Sequence, residues 1–357
     1  MGIFDRFRKG RQATSDRDQE MMRAPKRMNP EHPPEPATPQ SRRLDTETAL
    51  PSKEVPESNE PTRTIHIDQV LYGKRVQKRG GAIVRGEEHS IKSLTPSSSE
   101  EFLDVCHPSN FPFGESGNDD RMWDDEGGTI IKVSKELNGI PHILCGRLKL
   151  ASENGDGVPG RRYVQAHFMD IPANEWSVSI IPQLADALDN TPPLASEDHE
   201  IPKKELKTEL LDKSLPDDWY NDEIKAFLRS MIAGQPISIQ DYDHSVKEYL
   251  QKIFYCSICL PENAARQISF GSGLGDMKGE LRFSQGTAAF TENRRIVDRW
   301  VIQEGLNFDL SNRYLGELES RISNCKTPRE VMKAVNSIPQ ELEMQVEKNM
   351  FPDMMGM

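Results

Sequence analysis

The amino-acid sequence predicts an α+β protein: an antiparallel-rich N-terminal α+β domain, then a βαβ-containing, mostly helical second region, with a disordered tail ahead of both. Three observations carry this. β-Prone runs at 64–72, 129–135, 140–150 and 163–170 are bracketed by turn residues, and Asn138-Gly139 supplies both positive φ angles of a type I′ hairpin turn. An apolar helical run from Ser245 to Leu260 lies between two short β-prone runs, the arrangement of a βαβ unit. From Thr291 onward the pattern reads as helices, and Thr327-Pro-Arg-Glu330 combines a capping box with proline at the first helical position.

The 357 residues are 35% hydrophobic and include 25 prolines, below the apolar share usual for a globular chain. That shortage is local. Ala24 to Pro61 reads as Pro, Glu, Ser, Thr and Arg with scarcely a large apolar side chain, so residues 1–61 are expected to form a disordered tail. Residues 1–60 hold 11 basic and 11 acidic side chains, which leaves the net charge of −12 entirely to the remainder. Such an acidic body disfavours a simple nucleic-acid binder. At the tip, Ile3, Phe4 and Phe7 share a helical face beside Arg6, Arg8 and Lys9, a short basic amphipathic pattern that suits a partner groove or a weak membrane-surface contact. Arg6 stands where a myristoylation signal wants Ser or Thr. No apolar run approaches the length of a spanning helix and no secretory cleavage pattern follows the start, so a cytoplasmic location is expected. Five cysteines, widely spaced except for one pair, fit reduced thiols.

Within the first folded region, 62–190, Thr64 to Tyr72 is a strand. Gly73 and Gly80-Gly81 bracket a turn into a second strand, Ala82 to Arg85, making an opening hairpin. Ser98 followed by Glu101 predicts a capped short helix through Phe102, Leu103 and Val105. An acidic loop, Asp119 to Gly128, precedes the Asn138-Gly139 hairpin. Tyr163 to Asp170 is a further strand, and Trp176 to Leu188 a helix that Pro182 kinks.

The run His66-Ile-Asp-Gln-Val-Leu-Tyr-Gly73 resembles the opening IxQxLYG strand of the N-terminal domain of the GTPase-associated protein family of bacterial NTP-dependent conflict and signalling systems. Tyr163-Val-Gln-Ala-His-Phe-Met-Asp170 is similar to that family's second signature, an aromatic-to-His strand. Leu260-Pro-Glu-Asn-Ala-Ala-Arg-Gln-Ile-Ser-Phe270 resembles the middle domain's LPxxxRxxLSF segment. These short signatures span residues 65 to 270. Family members continue past Tyr-Gly to a Gly-His-aliphatic step, whereas this chain reads Lys78-Arg79-Gly80-Gly81-Ala82, so no role of that His carries over. The resemblance implies an adaptor or regulatory subunit working beside GTPases, without established catalytic residues.

Residues 191–203 form a Pro-rich acidic linker. In the middle domain, 204–290, Asp217 or Asp218 caps a helix through Trp219, Ile224, Phe227, Leu228, Met231 and Ile232 that stops at Gly234. Pro236 to Ile239, the helix from Ser245 to Leu260, and Arg266 to Phe270 then read as strand, helix and strand, with the two strands parallel. The C-terminal helices, 291–350, are expected at 291–303, 311–324, 327–336 and 340–348, before a mobile end at 351–357.

The motifs with chemical potential have plainer readings. Cys256-Ser-Ile-Cys259 lacks a second ligand pair for zinc and sits toward the C-terminal end of a helix, where the dipole opposes a thiolate, so buried thiols are expected. Gly271-Ser-Gly-Leu-Gly275 lacks the Gly-Lys-Ser/Thr ending of a phosphate loop and is expected to be a hairpin loop. The acidic loop misses the spacing of a calcium site. Neither a metal nor a cofactor is expected. Lys74, Arg75, Lys78 and Arg79 in the first hairpin loop are candidates for meeting phosphates or an acidic partner, although such runs also serve solubility. His167 is read as a core imidazole, with an alternative in which His66, Gln69 and His167 converge in a hydrolase or nucleotide site.

The expected function is therefore a non-enzymatic adaptor acting with a GTPase or other NTPase. Its candidate partner-binding residues are Ile3, Phe4, Phe7, Gln69, Tyr72, Lys74, Arg75, Lys78, Arg79 and His167. A peripheral membrane scaffold docked through the N-terminal peptide is the third reading.

Overall fold

The computed structural model describes residues 63–73, 76–79, 82–86, 90–106, 129–151, 163–189, 200–207, 209–239, 245–272, 283–285, 294–297, 300–303 and 308–352. All belong to one compact unit, Asn59–Met357. Its elements in chain order begin with β1 (Thr64–Gly73), β2 (Val76–Arg79), β3 (Ala82–Gly86), β4 (Ser90–Leu94), α1 (Glu100–Val105), β5 (Thr129–Leu137), β6 (Ile140–Ala151), β7 (Tyr163–Pro172) and α2 (Leu184–Asp189). They continue with β8 (Lys204–Lys207), α3 (Asp222–Ile232), β9 (Ile237–Ile239), α4 (Val246–Ile258), α5 (Glu262–Gln267), β10 (Phe270–Ser272), β11 (Phe283–Gln285), β12 (Arg294–Val297) and β13 (Trp300–Gln303). The last three are α6 (Asp309–Ile322), α7 (Pro328–Val335) and α8 (Gln340–Met350). The class is α+β.

One sheet runs through the unit. Its order among the described strands is β12-β13-β9-β11-β10-β5-β6-β7-β1-β4, with β8 also paired to β1. Strands β5, β6, β7, β1 and β4 are antiparallel neighbours. At the turn between β5 and β6, Asn138 and Gly139 hold φ of 51° and 76°, as the dipeptide predicts. The two sequence regions on either side of 191–203 share this sheet, because β10 pairs with β5. Part of the expected linker is built in: Ile201 is buried and its N–H donates to Leu94 O at 3.1 Å.

Alternation along the strands gives the sheet two apolar faces. On one, Ile65, Ile67, Ile143, Cys145, Met169 and Ile171 join the large core formed with helices, including Phe227, Leu250, Ile253, Tyr314, Leu318 and Val346. On the other, Val70, Val133, Leu144, Leu148, Ala166 and Phe168 pack under α1 through Phe102 and Cys106. Each fully buried Leu, Ile or Phe contributes roughly 1.5–3 kcal/mol from leaving water. Gly146 is required where β6 crosses Phe168, since a Cβ there would lie 2.3 Å from that ring.

Several local expectations change. The hairpin partner of β1 is β4, while β2 and β3 pair only with each other among the described strands. Ser99, not Ser98, caps α1, accepting from Phe102 N at 3.1 Å. The 176–188 helix divides at its proline: Val178–Gln183 is a 3₁₀ turn containing Pro182, which hands over to α2. Asn221 caps α3 by accepting from Ile224 N at 3.0 Å, leaving Trp219 and Tyr220 in the preceding turn. Arg266 and Gln267 end α5 and do not open a strand. Strands β9 and β10 are parallel as expected, but β11 lies between them, parallel to both, so the glycine-rich segment after β10 does not close a hairpin. Residues 291–303 hold the β12–β13 hairpin instead of a helix; Ile296 pairs with Val301 and Val297 with Trp300, β-branched and aromatic residues that fit a pleated surface. The helices α6, α7 and α8 follow the sequence pattern, and Thr327 and Glu330 form the capping box.

Candidate functional site

The sequence-derived candidates separate into those spent on the fold and those outside the described residues. Gln69 and His167 meet. Antiparallel pairing of β1 and β7 places them on one face, where His167 Nε2 lies 2.8 Å from Gln69 Oε1. Gln69 Nε2 donates to Pro202 O at 2.5 Å, and His167 Nδ1 lies 3.2 Å from Leu188 O. Burial lowers the His167 pKa to about 4, against the opposing pull of the Leu188 carbonyl. His66 does not join them: alternation sends it to the opposite face, where it is exposed 3.7 Å from Glu205. The convergence required by a hydrolase or nucleotide site is not formed.

Tyr72 is also turned inward. Its hydroxyl donates to Leu103 O at 2.9 Å, its ring meets Phe168 edge-on, and burial pushes its pKa up. Gln69, Tyr72 and His167 are 4%, 3% and 2% exposed, so none is presented to a partner. Lys78 and Arg79 fall in β2. Ile3, Phe4, Phe7, Lys74, Arg75 and the acidic loop 119–128 lie outside the described residues.

Other chemistry-bearing groups are held in neutral or backbone-bonded states. Cys256 and Cys259 are buried, and burial drives both thiols up, Cys259 further through Cys256 and Cys325. Cys145 is pushed up to about 12 by burial. Arg147 donates to Ala185 O at 2.9 Å and is lowered to about 10 by burial. On the α1 face, His142 Nδ1 pairs with Asp170 Oδ1 at 2.7 Å, while Asp68 takes Lys203 at 3.2 Å. Burial raises the Asp170 pKa against the hydrogen bond from His142. Among the described residues no group of three or more His, Cys, Asp or Glu is arranged to hold a metal ion.

A concave surface lies elsewhere, between the turn that leads into α3 and the C-terminal end of α6. It encloses about 910 Å³ and is lined by Leu215, Trp219, Tyr220, Lys225, Glu319 and Lys326, among others. Backbone lacing shapes it: Leu215 N donates to Lys326 O at 2.8 Å, and Cys325 N to Ile322 O at 2.9 Å. Trp219 packs against Tyr220 and Tyr255 with ring centres 5.4 and 5.9 Å away. Lys225 Nζ lies 5.2 Å over the Tyr220 ring and 3.4 Å from Glu319 Oε1. The Tyr220 hydroxyl is buried beside Glu319. Sequence reading placed Trp219 on the helix's apolar face. The usable signal was Asn221, whose capping preference ends the helix before the Trp219-Tyr220 pair.

No protein-family model, curated protein or solved structure matches the chain. Among the described residues no helix is long and apolar enough to cross a membrane.

Proposed function

We propose that this chain is a non-enzymatic adaptor of the cytoplasm that docks an extended segment of a protein partner in the Trp219–Lys326 cleft, the partner being a GTPase or other NTPase of a conflict or signalling system. One observation carries the docking reading: the cleft sets aromatic rings beside a Lys–Glu pair with both members about half exposed. Polypeptide offers the matching chemistry, with apolar side chains for the rings and backbone amides for the polar groups. The volume is at the upper end of ligand pockets, and mixed polarity of this kind is usual at non-obligate interfaces. The nucleotide-hydrolysing identity of the partner rests on the resemblance of residues 66–73, 163–170 and 260–270. The burial of Gln69 and the buried, neutral state of His167, Cys256 and Cys259 support a binding role over a catalytic one.

The test is affinity capture from native lysate with the full chain and with Lys225→Glu, each with and without GTP. Enrichment of a GTPase or NTPase by the wild type, lost in the variant, is the expected result. Recovery of no such protein under either nucleotide condition overturns the partner class, and equal recovery by the variant overturns the cleft.

A further inference from the structure

The sheet has a seam. Among the described strands, its antiparallel half, β5-β6-β7-β1-β4, meets the half containing the parallel strands β10, β11 and β9 only where β5 pairs with β10. That ladder has two paired positions, Lys132 with Phe270 and Ile131 with Gly271, against nine between β5 and β6. So thin a ladder needs help from side chains. Ile130 N donates to Ser272 Oγ at 3.1 Å, and Tyr249 from α4 donates its hydroxyl to Gly271 O at 2.9 Å. The strongest tie is Lys132. Its Nζ donates to Arg266 O and Ile268 O, both at 2.6 Å, and so fastens β5 to the elbow between α5 and β10. The side chain is 1% exposed.

We propose that Lys132 is a proton-sensitive clasp of this seam, holding the two halves of the sheet together as a neutral amine and releasing its hold when it becomes an ammonium ion. The acceptor count fits. A neutral amine has two N–H groups and finds two carbonyls, whereas an ammonium has three and meets, for the third, only the weaker attraction of the Trp176 ring face, 4.8 Å to its centre. Among the described residues no carboxylate pairs with it. From β6 the facing group is the Cys145 thiol, which burial keeps protonated, and from α5 it is the Arg266 cation. Burial above all, reinforced by the Arg266 cation, lowers the Lys132 pKa to about 7, so the titration falls near neutrality.

The sign follows from linkage. The closed seam binds fewer protons than the opened one between about 7 and the ordinary lysine value of 10.5. Closure is therefore fully favoured above 10.5 and loses that advantage as pH falls through about 7. Going from pH 8.5 to 6 should raise the opening equilibrium roughly thirtyfold if opening hydrates the amine.

Hydrogen exchange of the intact chain, corrected for the intrinsic rate at each pH, reads this directly. Segments 129–133 and 270–272 should lose protection roughly thirtyfold between pH 8.5 and 6, while Lys132→Met shows no such slope. Unchanged protection in the wild type, or the same slope in the variant, overturns the clasp. Should Lys132→Met not fold, the ¹³Cε resonances of labelled lysines in the wild type decide: one titrating near 7 supports the proposal, and all titrating near 10.5 overturns it.

Discussion

Gln69 and His167, 98 residues apart, share a contact of 2.8 Å across β1 and β7. Because Gln69 Nε2 is committed to Pro202 O, its carbonyl oxygen accepts from the imidazole, and the other ring nitrogen faces Leu188 O. The ring thus has two acceptors and, while neutral, one proton to give. β1 and β7 are thus joined side chain to side chain as well as through their backbones. Gln69 ties β1 to the chain at 202, and His167 ties β7 to the chain at 188.

Stability should fall on mild acidification through His167. Its folded pKa of about 4 lies below the ordinary 6.5, so the folded state binds fewer protons between them. The contribution is complete above 6.5 and is lost as pH drops toward 4, about 3 kcal/mol in all. Urea unfolding of the wild type and His167→Gln from pH 7 to 4 measures it; equal slopes in the two proteins would remove the assignment.

Gln69→Leu should destabilise the chain by about 1–3 kcal/mol, since it strips a partner from buried His167 and from the Pro202 carbonyl. Equilibrium denaturation checks the size. A loss well under the lower figure would mean that water replaces the amide.

Gly146→Ala tests the close packing of β6 on β7. The added Cβ would meet Phe168 at 2.3 Å and Ile131 at 3.3 Å, where both neighbours are core residues without room to retreat. The expected cost is about 1–3 kcal/mol from overpacking, seen as a lower thermal midpoint. Phe168→Leu in the same background should recover part of it.

What was legible in the sequence was local. Asn138-Gly139 and the Thr327–Glu330 box name their own backbone conformations, and both stand as read. Asn221 outweighed Asp217 and Asp218 because its side chain reaches Ile224 N. The β12–β13 hairpin is not legible because Arg294, Arg295, Asp298 and Arg299 interrupt its β-branched pairs and give the run a helix-like mix of charged and apolar residues. The role of Lys132 was not legible at all: its acceptors lie 134 and 136 residues away, and a lysine in a strand reads as a solvent-facing position. The cleft was hidden for the same reason, since Lys225 and Glu319 meet only once α3 and α6 are packed.

Tyr220→Phe should change stability by no more than about 1 kcal/mol, because it removes one hydroxyl buried beside Glu319. A clear loss of stability would show that the hydroxyl bonds Glu319 in solution. Partner capture should weaken in the same variant if the hydroxyl serves the docked segment.

Lys225→Glu separates binding from folding. Lys225 is paired with Glu319 at 3.4 Å near the surface, both side chains about half exposed, and such pairs contribute about 0–1 kcal/mol. The cation over Tyr220 adds a comparable amount at an exposed site, about 0.5–1 kcal/mol. Reversing the charge therefore costs the fold little, while it places two carboxylates together on one wall of the cleft and takes the cation off the ring. Partner capture should drop at least tenfold, equivalent to about 1.4 kcal/mol of binding, while the urea midpoint moves only slightly. A large loss of stability with capture retained by the folded fraction would make Lys225 a structural residue, and the docking surface would have to be sought away from α3.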